Sequence, residues 1–278
     1  MPLATQHLVH RAGATLHCDD HGGSGPPVVF LASWSLPAAS WRRQVVALGA
    51  AGLRCITYDR RGHGRSPDPG HGYDFTTLAD DLAAVLDAFD VRDATLVTFS
   101  AGSGEAVRYV TRHGTARVSR LALVAPTTPL LVRRNDNPDG IDPAEFGRFV
   151  ETELRSDWNG WLDRNARPFG GPAASDAELG EVKDLARQAS PSALEAFYRE
   201  LTAADFRQEL AALRLPVLVI QGEHDLSSPP LLTGHPTAAL VPGARLLVYP
   251  GAPHGLCVSH PDRLNADLLA FIRKTGHV

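Results

Sequence analysis

The tightest constraint on this chain lies between residues 94 and 110. Ala94 to Phe99 is an apolar run that reads as a buried strand, and it stops at Ser100. The chain then passes through Ala101-Gly102-Ser103-Gly104 and enters Glu105-Ala106-Val107-Arg108-Tyr109-Val110, which reads as a helix. A strand therefore meets a helix through a turn of small residues, with a serine at its apex. Two readings of the serine follow. It caps the helix, as serine often does, or the turn is sharp enough to lift its hydroxyl above the end of a sheet. The second demands small neighbours on both sides. Gly102 meets that demand, whereas Thr98 meets it only in part, because glycine is usual two residues before such a serine.

The rest of the chain repeats the strand-to-helix rhythm. His7 to Asp20 reads as a β-hairpin about Ala12-Gly13, followed by a Gly/Pro loop from Gly22 to Pro27. Val28 to Ala32 is a continuous apolar run of the kind buried on both faces of a sheet, and Arg54 to Tyr58 reads as the next strand. Trp41 to Ala50 lies between them as a helix. After a Gly-rich turn, Asp59 to Ser66, the residues Leu78, Leu82, Val85, Leu86 and Phe89 form a helical stripe. Leu121 to Ala125, Val217 to Ile220 and Leu246 to Tyr249 are further strands, with a helix at Leu231 to Leu240. A helix opened by Pro261 and closed near Gly276 ends the chain. Strands alternating with helices predict an α/β protein with a doubly wound, mostly parallel sheet.

Thr127 to Leu213 interrupts this rhythm. It has no strand pattern and predicts helices at Glu145 to Leu154, Asp176 to Gln188 and Ser192 to Leu201, with Trp158, Trp161 and Phe169 among them. The expected organisation is a core of residues 1–126 and 214–278 with a helical cap, residues 127–213, inserted in it. Leaving at Ala125 and returning at Pro216 places the cap over the carboxyl ends of the strands, where open α/β sheets bind ligands. The aromatic residues Trp158, Trp161 and Phe169 then either line a substrate pocket or hold the cap helices together.

Composition narrows the function. A net charge of −4 lacks the basic excess of a nucleic-acid binder. Apolar residues at 44% and charged residues at 21% are ordinary for a globular protein. Three cysteines, Cys18, Cys55 and Cys257, without CxxC spacing, argue against a disulfide framework and a thiolate zinc site. His7 and His10 find no third metal ligand at recognisable spacing. Met1 to Leu16 has no signal pattern, and no apolar run approaches the ~20 residues that span a bilayer. The expectation is a cytoplasmic protein with no membrane partner, no metal and no cofactor. Gly102-Ser103-Gly104 lacks the third glycine of a dinucleotide fingerprint. Nothing in the sequence sets an oligomeric state.

A serine hydroxyl becomes a nucleophile only when a base takes its proton and a third group orients that base. Asp225 follows one later strand in Gln221-Gly222-Glu223-His224-Asp225, and His254 follows the next in Gly251-Ala252-Pro253-His254-Gly255. Glu223 competes as the acid, and His224 competes as the base. The chain order Ser, Asp, His is that of one family of serine enzymes.

The chain resembles the α/β-hydrolase superfamily over nearly its whole length, and within it the cofactor-free haloperoxidases and their arylesterase and perhydrolase relatives. The resemblance is carried by Tyr58-Asp59-Arg60-Arg61-Gly62-His63-Gly64-Arg65-Ser66, by Phe99-Ser100-Ala101-Gly102-Ser103-Gly104-Glu105-Ala106-Val107-Arg108-Tyr109 and by Gly251-Ala252-Pro253-His254-Gly255-Leu256. It implies the α/β-hydrolase fold, with Ser100 as nucleophile, His254 as base, Asp225 as orienting acid, and the backbone N–H groups of Ala101 and Trp34 as oxyanion donors. The His-Gly pair that usually precedes the second donor is replaced by Ala32-Ser33. Ser33 is then expected to take a backbone conformation that glycine reaches more easily.

The expected function is hydrolysis of a small carboxylic ester or lactone through an acyl-enzyme. Perhydrolysis, C–C bond hydrolysis or a biosynthetic rearrangement on the same three groups are alternatives, as is a ligand-binding module without turnover. Dehalogenases and epoxide hydrolases of this fold carry aspartate where Ser100 stands. His63 reads as part of a structural turn between two glycines, His71, His113 and His235 as surface residues, and Cys257 as a packed thiol.

Overall fold

A computed structural model describes residues 4–274; the expected helix end at Gly276 and the residues Met1 to Leu3 lie outside the described residues. Eight strands form one sheet: β1 (Thr5–Arg11), β2 (Ala14–Asp20), β3 (Pro27–Leu31), β4 (Arg54–Tyr58), β5 (Ala94–Phe99), β6 (Val118–Val124), β7 (Val217–Gly222) and β8 (Arg245–Tyr249). Their spatial order is β1-β2-β4-β3-β5-β6-β7-β8. The hairpin β1–β2 and the pair β2–β4 are antiparallel, and all later pairs are parallel. Ala12 and Gly13, both at positive φ (45° and 76°), close the hairpin as its sequence predicts.

Period-two alternation divides the strands between two cores. Val29, Leu31, Leu96, Leu121, Leu123, Val217 and Val219 face α2 (Phe75–Ala88) and α3 (Gly102–His113). Their sequence neighbours Val28, Phe30, Val97, Ala122, Val124, Leu218 and Ile220 face α1 (Arg42–Ala50) and the C-terminal helix. Continuous apolar runs arise because both faces are covered. In α2, Asp74 caps the helix by accepting a 2.9 Å bond from Thr77 N, and Leu78, Leu82, Val85 and Leu86 form the buried stripe.

The segment between β6 and β7 holds α4 (Pro143–Phe149), extended by a π-helical turn at Val150–Leu154, then α5 (Trp158–Gly170), α6 (Asp176–Ala186), α7 (Pro191–Ala203) and α8 (Arg207–Ala212). The sequence patterns marked α4, α6 and α7 but not α5 or α8. Gly160, Pro168 and Gly170 are poor helix formers, so α5 depends on its Asp157 cap and on packing of its aromatic residues. After β7 come α9 (Gly234–Leu240), shorter than expected, then β8, the short α10 (Leu256–Ser259) and α11 (Pro261–Arg273). Among the described residues no helix is long and apolar enough to cross a membrane.

Candidate active site

The turn after β5 is as sharp as its composition suggests. Ser100 sits at φ +54°, a left-handed conformation that costs a non-glycine residue free energy and marks sites where geometry overrides comfort. The strain is held from several sides. Ser100 N donates to Val124 O at 2.9 Å, Ser103 Oγ donates to Ser100 O at 2.7 Å, and Ser103 Oγ accepts from Thr127 N at 3.2 Å. A Cβ on Gly102 would meet Leu31 O at 2.9 Å and Ala32 O at 3.0 Å, so only glycine lets α3 start this close to the end of β3. Thr98 is accommodated in full burial within the strand.

His254 and Asp225 come together beside this turn. Nδ1 of His254 lies 2.8 Å from Asp225 Oδ2, and both residues are at most 4% exposed. Asp225 is fully engaged: Oδ2 also accepts from Gln221 Nε2 (2.9 Å), while Oδ1 accepts from Ser227 N (2.9 Å) and Ser228 N (2.7 Å). The His254 ring packs at 5.0 Å between centroids on Phe99, the residue before Ser100. No hydrogen bond links Ser100 Oγ to His254 among the described residues; the ring stands over the turn through its contact with Phe99.

The competing groups separate by position. Glu223 is exposed and accepts from Gly251 N at 2.8 Å, bracing the turn that leads to His254. His224 is exposed on the same loop. Cys257 is buried, and desolvation pushes its thiol up to about 12. Cys18 and Cys55 are buried free thiols, likewise pushed up to about 12 by burial. His10 bonds to Thr15, and His7 packs on Phe89.

Trp34 and Ala101 supply two backbone N–H groups at the ends of β3 and β5. Neither donates to any acceptor among the described residues. Ser33 is not at positive φ, so the expectation of a glycine-like conformation there is wrong. Its carbonyl is instead held by a side chain, Arg60 Nη1 donating to it at 3.1 Å.

The Trp34 indole reaches into the helical segment. Its Nε1 donates to Leu194 O at 2.9 Å, and its ring meets Tyr198 (5.1 Å), Trp158 (5.6 Å), Phe149 (5.9 Å) and Trp161 (6.2 Å). Trp158 and Trp161 stack on each other at 5.0 Å. Trp161 and Phe169, with Ser33, Ser35 and Asn165, line a small cavity of about 60 Å³; Trp158 does not reach it. Phe169 also packs on His254 at 5.8 Å, and its carbonyl accepts from Gly255 N at 2.8 Å. The helical segment thus touches both the Trp34 loop and the His254 loop.

The sequence assigned no separate role to Arg60, Glu105 or Tyr198. Arg60 and Glu105 form a buried pair (Nη2 to Oε2, 2.9 Å), with Tyr58 hydroxyl on the other carboxylate oxygen. Burial raises the carboxyl pKa of Glu105 against the opposing pull of Arg60. The signal for Arg60 and Glu105 was their place within the resemblance-bearing stretches, and for Tyr198 an aromatic residue on a predicted helix.

A family model described as the alpha/beta hydrolase fold matches residues 26–261. The chain belongs to the α/β-hydrolase family. This hydrolase is 38% identical over 256 residues to a non-heme haloperoxidase of Rhodococcus erythropolis, covering 90% of this chain and 93% of the relative. It is 33% identical to a bifunctional esterase/perhydrolase of Acinetobacter calcoaceticus, over 96% of this chain and 99% of the other. The crystal structure of a bromoperoxidase from Bacillus anthracis superposes on the hydrolase with a TM-score of 0.91 at 32% identity, covering 98% and 100% of the two chains.

Proposed function

We propose that this hydrolase cleaves small carboxylic esters or lactones through an acyl-enzyme on Ser100. The observation that carries the reading is the sealed Asp225–His254 pair, its imidazole packed against Phe99, next to a serine held at φ +54°. Ser100 Oγ attacks the carbonyl carbon while Nε2 of His254 takes its proton. Asp225 holds the proton on Nδ1 and stabilises the imidazolium. The N–H groups of Trp34 and Ala101, both without an acceptor among the described residues, bind the tetrahedral oxyanion, and one such donor is worth ~3 kcal/mol of barrier. His254 protonates the leaving alcohol, then activates water to release the acid. Substrate, water and three side chains carry every proton and electron pair.

In this reading residues 127–213 are the cap, and Trp161 and Phe169 border the substrate while Trp158 buttresses Trp34. The relatives' names favour a second acceptor for the same acyl-enzyme. Hydrogen peroxide in place of water would release a peracid, which oxidises halide in solution.

The test is labelling by a fluorophosphonate probe, with the adduct located by mass spectrometry, alongside hydrolysis of p-nitrophenyl acetate with and without peroxide. A protein whose Ser100 stays unlabelled, and which turns over neither p-nitrophenyl acetate nor a panel of small lactones, is not this enzyme.

A further inference from the structure

We propose that Arg60 and His63 are positioning residues that aim the oxyanion-binding N–H of Trp34; the proposal rests on the serine-hydrolase reading above. Three successive carbonyls of the arm after β3 are gripped by this one turn after β4. Arg60 Nη2 donates to Ala32 O at 2.9 Å, Arg60 Nη1 donates to Ser33 O at 3.1 Å, and His63 Nε2 lies 2.6 Å from Trp34 O.

The middle contact matters most. Ser33 C=O and Trp34 N–H belong to one planar trans peptide unit and point in opposite directions. A guanidinium fixed on the carbonyl therefore fixes the direction of the N–H. It also polarises the unit, because a hydrogen bond accepted at one end strengthens the donor at the other. The units on either side are locked by the Ala32 and Trp34 contacts, so the arm cannot turn its middle peptide over. Side chains thereby do what backbone conformation alone was expected to do where Ala32-Ser33 replaces a His-Gly pair.

The grip is itself anchored to the nucleophile. Arg60 Nε and Nη2 both donate to Glu105 Oε2 (3.0 and 2.9 Å), and Glu105 lies in α3, the helix that starts at the Ser100 turn. The guanidinium also rests 4.6 Å over the ring of Phe197 in α7. The Trp34 and Ala101 donors are thus referenced to one buried fork. Lysine keeps the charge but not the fork: a single ammonium cannot hold Glu105 and two carbonyls in planar array. His63 faces two carbonyls, Trp34 O at 2.6 Å and Arg61 O at 2.9 Å. Burial and the nearby Arg60 charge push its pKa down to about 4, so the neutral ring has one proton, which we assign to Nε2, the nitrogen with the shorter contact.

The experiment compares wild type, Arg60→Lys, His63→Leu and His63→Gln with p-nitrophenyl acetate and an aryl trifluoromethyl ketone. The ketone adds to an activated serine and places a real oxyanion in the hole. Arg60→Lys should lower kcat about 10- to 100-fold with KM within about threefold, and weaken the ketone by the same factor. His63→Leu should lower both about tenfold, and His63→Gln, which keeps a donor at the Nε2 position, should restore them to within about threefold.

Unchanged kcat and ketone affinity in folded Arg60→Lys would overturn the proposal, as would a loss confined to KM. If Arg60→Lys does not fold, the pair Arg60→Met with Glu105→Leu removes both buried charges together and gives the same readout. A wild type that neither hydrolyses the ester nor forms the hemiketal sinks the serine-hydrolase reading and this one with it. A wild type that does both, with indifferent variants, sinks this one alone.

Discussion

Nδ1 of His254 and Oδ2 of Asp225 are 2.8 Å apart and almost wholly shielded from water, while Glu223, two residues earlier on the same loop, is exposed and bonded to Gly251 N. A carboxylate can stabilise a developing imidazolium only if it touches the ring. Asp225→Asn should lower kcat by about four orders of magnitude, because the amide imposes the wrong tautomer on His254. Glu223→Gln should stay within about threefold, since an amide oxygen still accepts from Gly251 N. Steady-state kinetics on an aryl ester decides, and the reverse ranking moves the acid to Glu223.

Ser100 and His254 should act as one unit. Each alanine substitution alone is expected to cost about 10⁴- to 10⁶-fold in kcat, and the double variant little more, because a base without a nucleophile does nothing. Multiplicative losses in the double variant would show two independent contributions and dissolve the pairing.

Ala101 presents a methyl group next to Ser100, and its backbone N–H is one of the two oxyanion donors in the proposed mechanism. Ala101→Met fills space beside the acyl group without removing that N–H. It should penalise long acyl chains more than acetyl, by about 1–3 kcal/mol per methylene-sized clash. The ratio of kcat/KM for acetyl and octanoyl aryl esters measures this. An equal loss for every ester would mean that the oxyanion hole has been disturbed instead.

His63 also predicts a pH dependence of stability. Its pKa falls from about 6.5 in the unfolded chain to about 4 in the fold, chiefly through burial. The unfolded state therefore binds the proton first as pH drops. The stability tied to a neutral His63 is fully present above about pH 6.5 and is lost as pH falls towards 4. Relative to His63→Gln, wild type should lose about 2 kcal/mol between pH 7 and pH 4.5. Urea unfolding of both proteins at the two pH values checks it, and parallel losses would assign the acid sensitivity elsewhere.

Much of this protein is written locally. Buried parallel strands appear as continuous apolar runs because both of their faces are covered, and α2 appears as a stripe because only one face is. The Ser100 turn is legible because a sharp strand-to-helix junction tolerates little besides small residues. The meeting of Asp225 and His254 was legible because side chains at the carboxyl ends of successive strands converge, a consequence of topology that chain order already implies.

What only the tertiary structure decided are relations between distant segments. No local pattern tells which of Asp225 and Glu223 lies against His254; the folded chain places Asp225 there, with Oδ2 2.8 Å from Nδ1. Helix α5 contains Gly160, Pro168 and Gly170 and exists because Trp158, Trp161 and Phe169 pack on Trp34 and His254. Ser33 needs no glycine conformation because Arg60, 27 residues away, holds its carbonyl. Propensity and periodicity describe a residue's own turn or strand, whereas a buried guanidinium is satisfied only by whichever carbonyls and carboxylate the folded chain brings around it.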